Sequence, residues 1–187
     1  MRRNRLVALL AAVVAVLAVS LALAAASPAH ADDFGPIQNY GNGLCMGPQG
    51  NSSAQGTLIV QEPCDQYTTG QRNLWQEWYA VCVNSSCSSF HWVNRGSQLC
   101  LRARGLTGPA NGEQIMLWTC NGITDLNWVY GSDPISGTFV LESRISGSTG
   151  YCLDVPGASW QPGLALQLYR CNRTVAQIWQ APTPIIE

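Results

Sequence analysis

Six of the eight cysteines fall into three pairs of nearly equal span. Cys45 and Cys64 are 19 residues apart, Cys100 and Cys120 are 20 apart, and Cys152 and Cys171 are 19 apart. A tryptophan follows each second cysteine: Trp75 in NLW, Trp128 in LNW and Trp179 in QIW. Internal repetition at a fixed period dictates architecture, because one unit alone cannot bury its apolar face and must stack on its neighbours. Three units of similar length fill the chain after its N-terminal segment. They agree beyond the cysteines. Gln55-Gly56-Thr57, Asn111-Gly112-Glu113 and Gln161-Pro162-Gly163 each precede the run that leads to a second cysteine. Glycine there fits a turn that needs positive φ. Phe90 and Phe139 occupy like positions at the entry to units two and three. Trp75, Trp128 and Trp179 are expected to point inward, one per unit, as core aromatics.

No amphipathic helical period is evident after residue 31. Short apolar runs recur instead, as in Leu58–Val60, Phe90–Val93, Ile115–Trp118, Phe139–Leu141 and Leu164–Tyr169. Clusters of Gly, Asn, Ser and Pro separate them. That pattern predicts many short strands joined by turns, and therefore an all-β barrel or sandwich.

Residues 1–31 stand apart. Arg2, Arg3 and Arg5 precede an uninterrupted apolar stretch from Leu6 to Ala25, and Ala29-His30-Ala31 fits the small-x-small cleavage pattern. This predicts a signal peptide, a chain starting at Asp32 after cleavage, and an extracellular location. The alternative is an uncleaved N-terminal anchor, given the length of the apolar run. In residues 32–187, seven arginines stand against eleven acidic residues, and lysine is absent. Such a surface lacks the basic charge that nucleic acid or an anionic membrane requires. All eight cysteines lie in this exported part, which in an oxidising compartment reads as four disulfides. Equivalent positions should pair alike, giving Cys45–Cys64, Cys100–Cys120 and Cys152–Cys171. Cys82 and Cys87 remain and would close a tight loop stapling a hairpin. With no CxxC and only His91 beyond residue 31, no metal site is expected.

The third unit carries the fullest motif: Tyr151-Cys152-Leu153-Asp154, then Gln167-Leu168-Tyr169-Arg170-Cys171-Asn172, then Gln177-Ile178-Trp179. Three such repeats, each closing on a tryptophan, resemble the ricin-type β-trefoil lectins. The resemblance spans residues 32–187, strongest in the third repeat and weakest in the first, with repeats at about 34–80, 88–131 and 137–183. It implies a β-trefoil of three repeats of about four short strands each, stapled by disulfides. Each repeat of that family can hold one shallow sugar site.

Carried over residue by residue, the resemblance assigns carbohydrate binding to Asp154, Gln167, Tyr169, Asn172 and Gln177. Asp154 would accept hydrogen bonds from adjacent sugar hydroxyls, Tyr169 would pack on the pyranose ring, and Gln177 would orient the Asp. Gln167 and Asn172 would add polar contacts. Acceptors beside an aromatic face are what a sugar needs on chemical grounds. Asp154 also has a plainer reading, as an Asx-type turn before Pro156-Gly157. Ala176 stands where the family often has Asn, and Trp160 on the neighbouring turn is a candidate second apolar wall. In the second repeat Trp118 and Asn121 are kept, but Arg102 replaces the Asp and Leu126 the Gln. In the first, Gly47 replaces the Asp, Glu62 the aromatic, and Asn73 the Gln.

No HExxH, GxSxG or phosphate-binding glycine loop occurs, and His91 sits within a strand pattern. The expectation is a secreted, non-catalytic glycan-binding module without a cofactor, with one sugar site in the third repeat. Its rival is a trefoil that binds proteins through loops, such as a protease inhibitor with degenerate sugar sites.

Overall fold

The computed structural model describes residues 34–64, 73–104, 109–131, 135–144 and 150–180. The expected signal peptide lies outside the described residues, as do parts of the expected turn clusters at 131–137 and 146–150. The first repeat contributes β1 (Gly35–Pro36), β2 (Gln38–Asn39), β3 (Leu44–Pro48), β4 (Ile59–Pro63) and β5 (Glu77–Cys82). The second contributes β6 (Phe90–Asn94), β7 (Cys100–Ala103), β8 (Glu113–Trp118) and β9 (Trp128–Gly131). The third contributes β10 (Val140–Ser143), β11 (Tyr151–Asp154), β12 (Gln167–Arg170) and β13 (Trp179–Gln180). Among the described residues helical structure is confined to short 3₁₀ turns, so the all-β expectation holds. The first repeat departs in one detail. Its opening strand is split into β1 and β2 around the fully buried Ile37, because β1 pairs with β5 while β2 pairs with β13 and β3.

Threefold order is visible bond by bond. The third strand of each repeat reaches the next repeat through its preceding glycine. Gly56 N–H donates to the Leu117 carbonyl at 2.8 Å, Gly112 to Leu168 at 2.9 Å, and Gly163 to Gln61 at 2.8 Å. All three glycines hold positive φ, at 87°, 83° and 79°, which a side chain would resist. These bonds close a ring of β4, β8 and β12, so the chain folds as a β-trefoil. Phe90 pairs with Trp128 and Phe139 with Trp179, the like positions expected of them.

The core tryptophans require one correction. Each indole N–H donates to the carbonyl of the residue after a first cysteine: Trp78 to Met46 at 3.1 Å, Trp128 to Leu101 at 3.0 Å, and Trp179 to Leu153 at 3.1 Å. The first-repeat member is therefore Trp78, 1 % exposed, and not Trp75, which is only half-buried. The interval after Cys64 is longer than its counterparts, so counting from the cysteine stops at the wrong indole. Cys45–Cys64, Cys100–Cys120 and Cys152–Cys171 tie together the hairpins β3–β4, β7–β8 and β11–β12, and Cys82–Cys87 closes the tip of β5–β6. Each of the three longer loops contributes about 3 kcal/mol by restricting the unfolded chain.

Candidate functional site

In the third repeat Asp154 pairs with Gln167 across β11 and β12, and Cys152 pairs with Tyr169. Alternation along a strand puts Asp154, Gln167 and Tyr169 on one face of that hairpin. Gln177 arrives from the 3₁₀ turn Val175–Gln177. The Asp154 side chain is buried, and its two oxygens are held separately. Gln167 Nε2 donates to Oδ1 at 2.7 Å and Gln177 Nε2 donates to Oδ2 at 3.1 Å. Gln177 is itself fixed. Its Oε1 accepts the main-chain N–H of Asn172 at 2.8 Å and of Arg173 at 3.2 Å, and its Nε2 also donates to the Arg170 carbonyl at 3.1 Å. The amide therefore presents its nitrogen to the carboxylate.

Burial pushes the Asp154 carboxyl above the ordinary aspartate value, against the opposing pull of the two amide hydrogen bonds. A carboxylate offers about four acceptor sites, so two amides leave capacity for a hydroxyl. Tyr169 is 38 % exposed beside it. Asn172 is exposed, and its Oδ1 accepts from Thr174 N–H at 3.1 Å and Thr174 Oγ at 2.9 Å, shaping the turn that carries Gln177. The structure thus brings Gln167 and Gln177 onto the Asp154 carboxylate and sets Tyr169 on the same strand face, while the Asn172 side chain bonds Thr174 rather than the carboxylate. Asp154 is clamped by side-chain amides rather than by a local turn. Ala176, next to Gln177, is 5 % exposed and supplies no polar group.

The second repeat reverses the polarity. Arg102, at the position of Asp154, pairs with Asp125 at 3.0 Å, with the side chains 11 % and 17 % exposed. Its guanidinium lies 4.3 Å from the centroid of Trp118, so a cation covers one face of that aromatic. Asp125 precedes Leu126 as Ala176 precedes Gln177. Asn121 accepts the Ile123 N–H at 3.5 Å and shapes the turn.

The first repeat is closed by backbone. A Cβ built on Gly47 would lie 3.1 Å from the Trp75 carbonyl oxygen, so the turn bearing Trp75 sits where an Asp side chain would project. The Gln of this repeat is Gln76 rather than Asn73. Gln76 Nε2 donates to the Pro63 carbonyl at 2.9 Å, as Gln177 does to Arg170, whereas Asn73 Oδ1 accepts the Trp75 N–H at 3.1 Å. The signal was legible as Gln76-Glu77-Trp78. His91 Nε2 lies 2.8 Å from Asn127 Oδ1. Among the described residues the one cluster of potential metal donors is Glu142 with Cys152 and Cys171, whose sulfurs are spent on a disulfide.

A family model described as the ricin-type beta-trefoil lectin domain matches residues 33–136. No curated protein sequence matches. Several solved structures share the fold. A designed threefold-symmetric protein, ThreeFoil, is 20 % identical, with a TM-score of 0.69 over 80 % of this chain and 98 % of its own. The Macrolepiota procera ricin B-like lectin, in complex with lactose, is 20 % identical, with a TM-score of 0.62 over 81 % and 95 %. An exo-beta-1,3-galactanase from Clostridium thermocellum is 22 % identical, with a TM-score of 0.67 over 79 % of this chain but 29 % of its own. At these identities the likeness speaks for the fold.

Proposed function

The chain belongs to the ricin-type beta-trefoil lectin domain family, and from that premise we propose that it is a secreted, non-catalytic carbohydrate-binding module whose sugar site lies in the third repeat. One observation carries the reading: the Asp154 carboxylate is held by Gln167 and Gln177 while Tyr169 stands exposed on the same face. The acceptor is fixed before a ligand arrives, so little ordering remains to oppose binding. Four disulfides support an oxidising compartment. The lactose bound by the fungal lectin and the galactan backbone cut by the bacterial enzyme make β-linked galactosides the first ligands to try. A single shallow site binds weakly; a millimolar constant is about −4.1 kcal/mol.

The test is a glycan array with the oxidised chain, Asp154→Ala and Tyr169→Ala, each checked for folding by near-ultraviolet circular dichroism. Binding by the parent that both variants lose supports the reading. A folded parent that binds no glycan sinks it and leaves a protein-binding trefoil as the better account.

A further inference from the structure

Gln61 breaks the threefold pattern in an unusual place. Its counterparts by strand register are Leu117 and Leu168, and all three are fully buried. A polar side chain at a core position costs stability unless its hydrogen bonds are complete. The two that Gln61 donates run to one loop. Its Nε2 donates to the Ser159 carbonyl at 3.0 Å and to the Gln161 carbonyl at 2.8 Å, and its Oε1 accepts from Asn42 Nδ2 at 2.8 Å. Asn42 Nδ2 also donates to the Ser159 carbonyl at 2.8 Å. The residue between those two held carbonyls is Trp160, and its side chain is 72 % exposed. Isolated surface hydrophobes are common and need no explanation. A core glutamine whose side-chain bonds serve to fix the backbone on both sides of an exposed indole does need one.

The same loop is continuous with the candidate site. It connects Asp154 to Gln167, the two ends of the clamp. On its other flank, Val175 of the turn that carries Gln177 packs on Gly41, where an added Cβ would lie 2.8 Å from Val175 Cβ. Asn42 is the next residue and holds Ser159. Val175 and Tyr40 are themselves 46 % and 45 % exposed, and the chain of contacts from Val175 through Gly41 and Asn42 to Ser159 links the Gln177 turn to the loop that carries Trp160.

We propose that Trp160 is a ligand-contacting residue of an outer subsite, stacking on a second sugar unit of a glycan whose first unit occupies the Asp154 site. The substrate class is then an oligosaccharide or polysaccharide chain rather than a lone terminal sugar. The proposal rests on the third-repeat reading above. An indole carried on a fixed backbone has less freedom to lose when a pyranose C–H face covers it than one on a mobile loop.

The test is an array carrying mono-, di- and oligosaccharides of single linkages, including lactose and β-1,3-linked galactose chains, read with the parent, Trp160→Ala, Gln61→Leu and Asp154→Ala. The parent is expected to bind longer chains of one linkage about ten-fold more tightly than the short members. Trp160→Ala should keep the short-ligand affinity and lose that gain. Gln61→Leu restores the apolar residue of the other repeats, so it should fold, bind short ligands as the parent does, and lose the gain. Retention of the full gain in Trp160→Ala overturns the outer subsite while the Asp154 site stands. Loss of the gain in Trp160→Ala with undiminished binding in Asp154→Ala keeps the Trp160 contact and removes the third-repeat site. A parent with no length dependence, or no binding, overturns the proposal.

Discussion

The second and third repeats share a scaffold and differ in charge. Both hang a tryptophan indole on the carbonyl after their first cysteine, at 3.0 and 3.1 Å. Both carry an aromatic at the same register position, Trp118 and Tyr169. Yet one presents a carboxylate clamped by two amides, and the other a guanidinium stacked on its own aromatic and tied to Asp125. The difference teaches that a trefoil repeat has two separable layers. Apart from Gln61, the inward layer follows the threefold pattern, because packing is shared by all three repeats. The outward layer is free to change, and the exchange of Asp for Arg together with that of Ala for Asp replaces an amide-held carboxylate with an ion pair.

The sharpest way to test that separation is to strike the shared layer. Trp78→Ala, Trp128→Ala and Trp179→Ala should each cost about 3–5 kcal/mol in denaturant unfolding, alike in all three repeats. Trp75→Ala should cost clearly less, and equal costs for Trp75 and Trp78 would undo the corrected assignment. Next comes the outward layer. Asp154→Ala should weaken glycan binding at least about 100-fold, as lost hydrogen bonds to a charged group imply. Arg102→Ala should leave binding unchanged and instead lower stability by about 1–3 kcal/mol, because it strands Asp125. Isothermal titration beside thermal melts separates the two outcomes.

A gentler change sharpens the comparison within the third repeat. Ala176→Asn supplies the amide that this site lacks and should tighten binding about five-fold, the value of one neutral hydrogen bond of about 1 kcal/mol. Weaker binding would mean that the position is sterically closed. The smallest effect is the pH response. Asp154 has a raised folded-state pKa, with burial the larger cause. The folded chain therefore takes up its proton at a higher pH than the unfolded chain. The stability contribution of this group is largest when protonated and declines as pH rises from the unfolded value, 3.8, through the folded one. Binding runs the opposite way, since a protonated carboxyl loses acceptor strength. Affinity measured against pH should fall on acidification with a midpoint above 3.8, and Asp154→Asn should flatten that profile.

Much of this molecule was legible from residue order alone. The cysteine spacing, the glycines at 56, 112 and 163, and the phenylalanines at 90 and 139 sufficed for three repeats, their strands and their disulfide partners. These features are local, and a threefold fold imposes the same register on each copy. Counting fails where the copies differ in length, and it lands on Trp75 instead of Trp78 and on Asn73 instead of Gln76. The candidate site residues of the third repeat came from the resemblance of its motif to the lectin family, and among them Asp154, Gln167 and Gln177 are in contact in the structure.

What only the tertiary structure decided is what surrounds the outward positions of each repeat. Gly47 is crowded because the Trp75 carbonyl lies against it. Arg102 is quenched because Asp125 and Trp118 converge there, and Trp160 is held because Gln61 and Asn42 reach across from another repeat. Each of these depends on atoms brought together from distant segments of the chain. Spacing specifies which positions are equivalent, whereas the room and charge at an outward position depend on whatever the fold packs beside it.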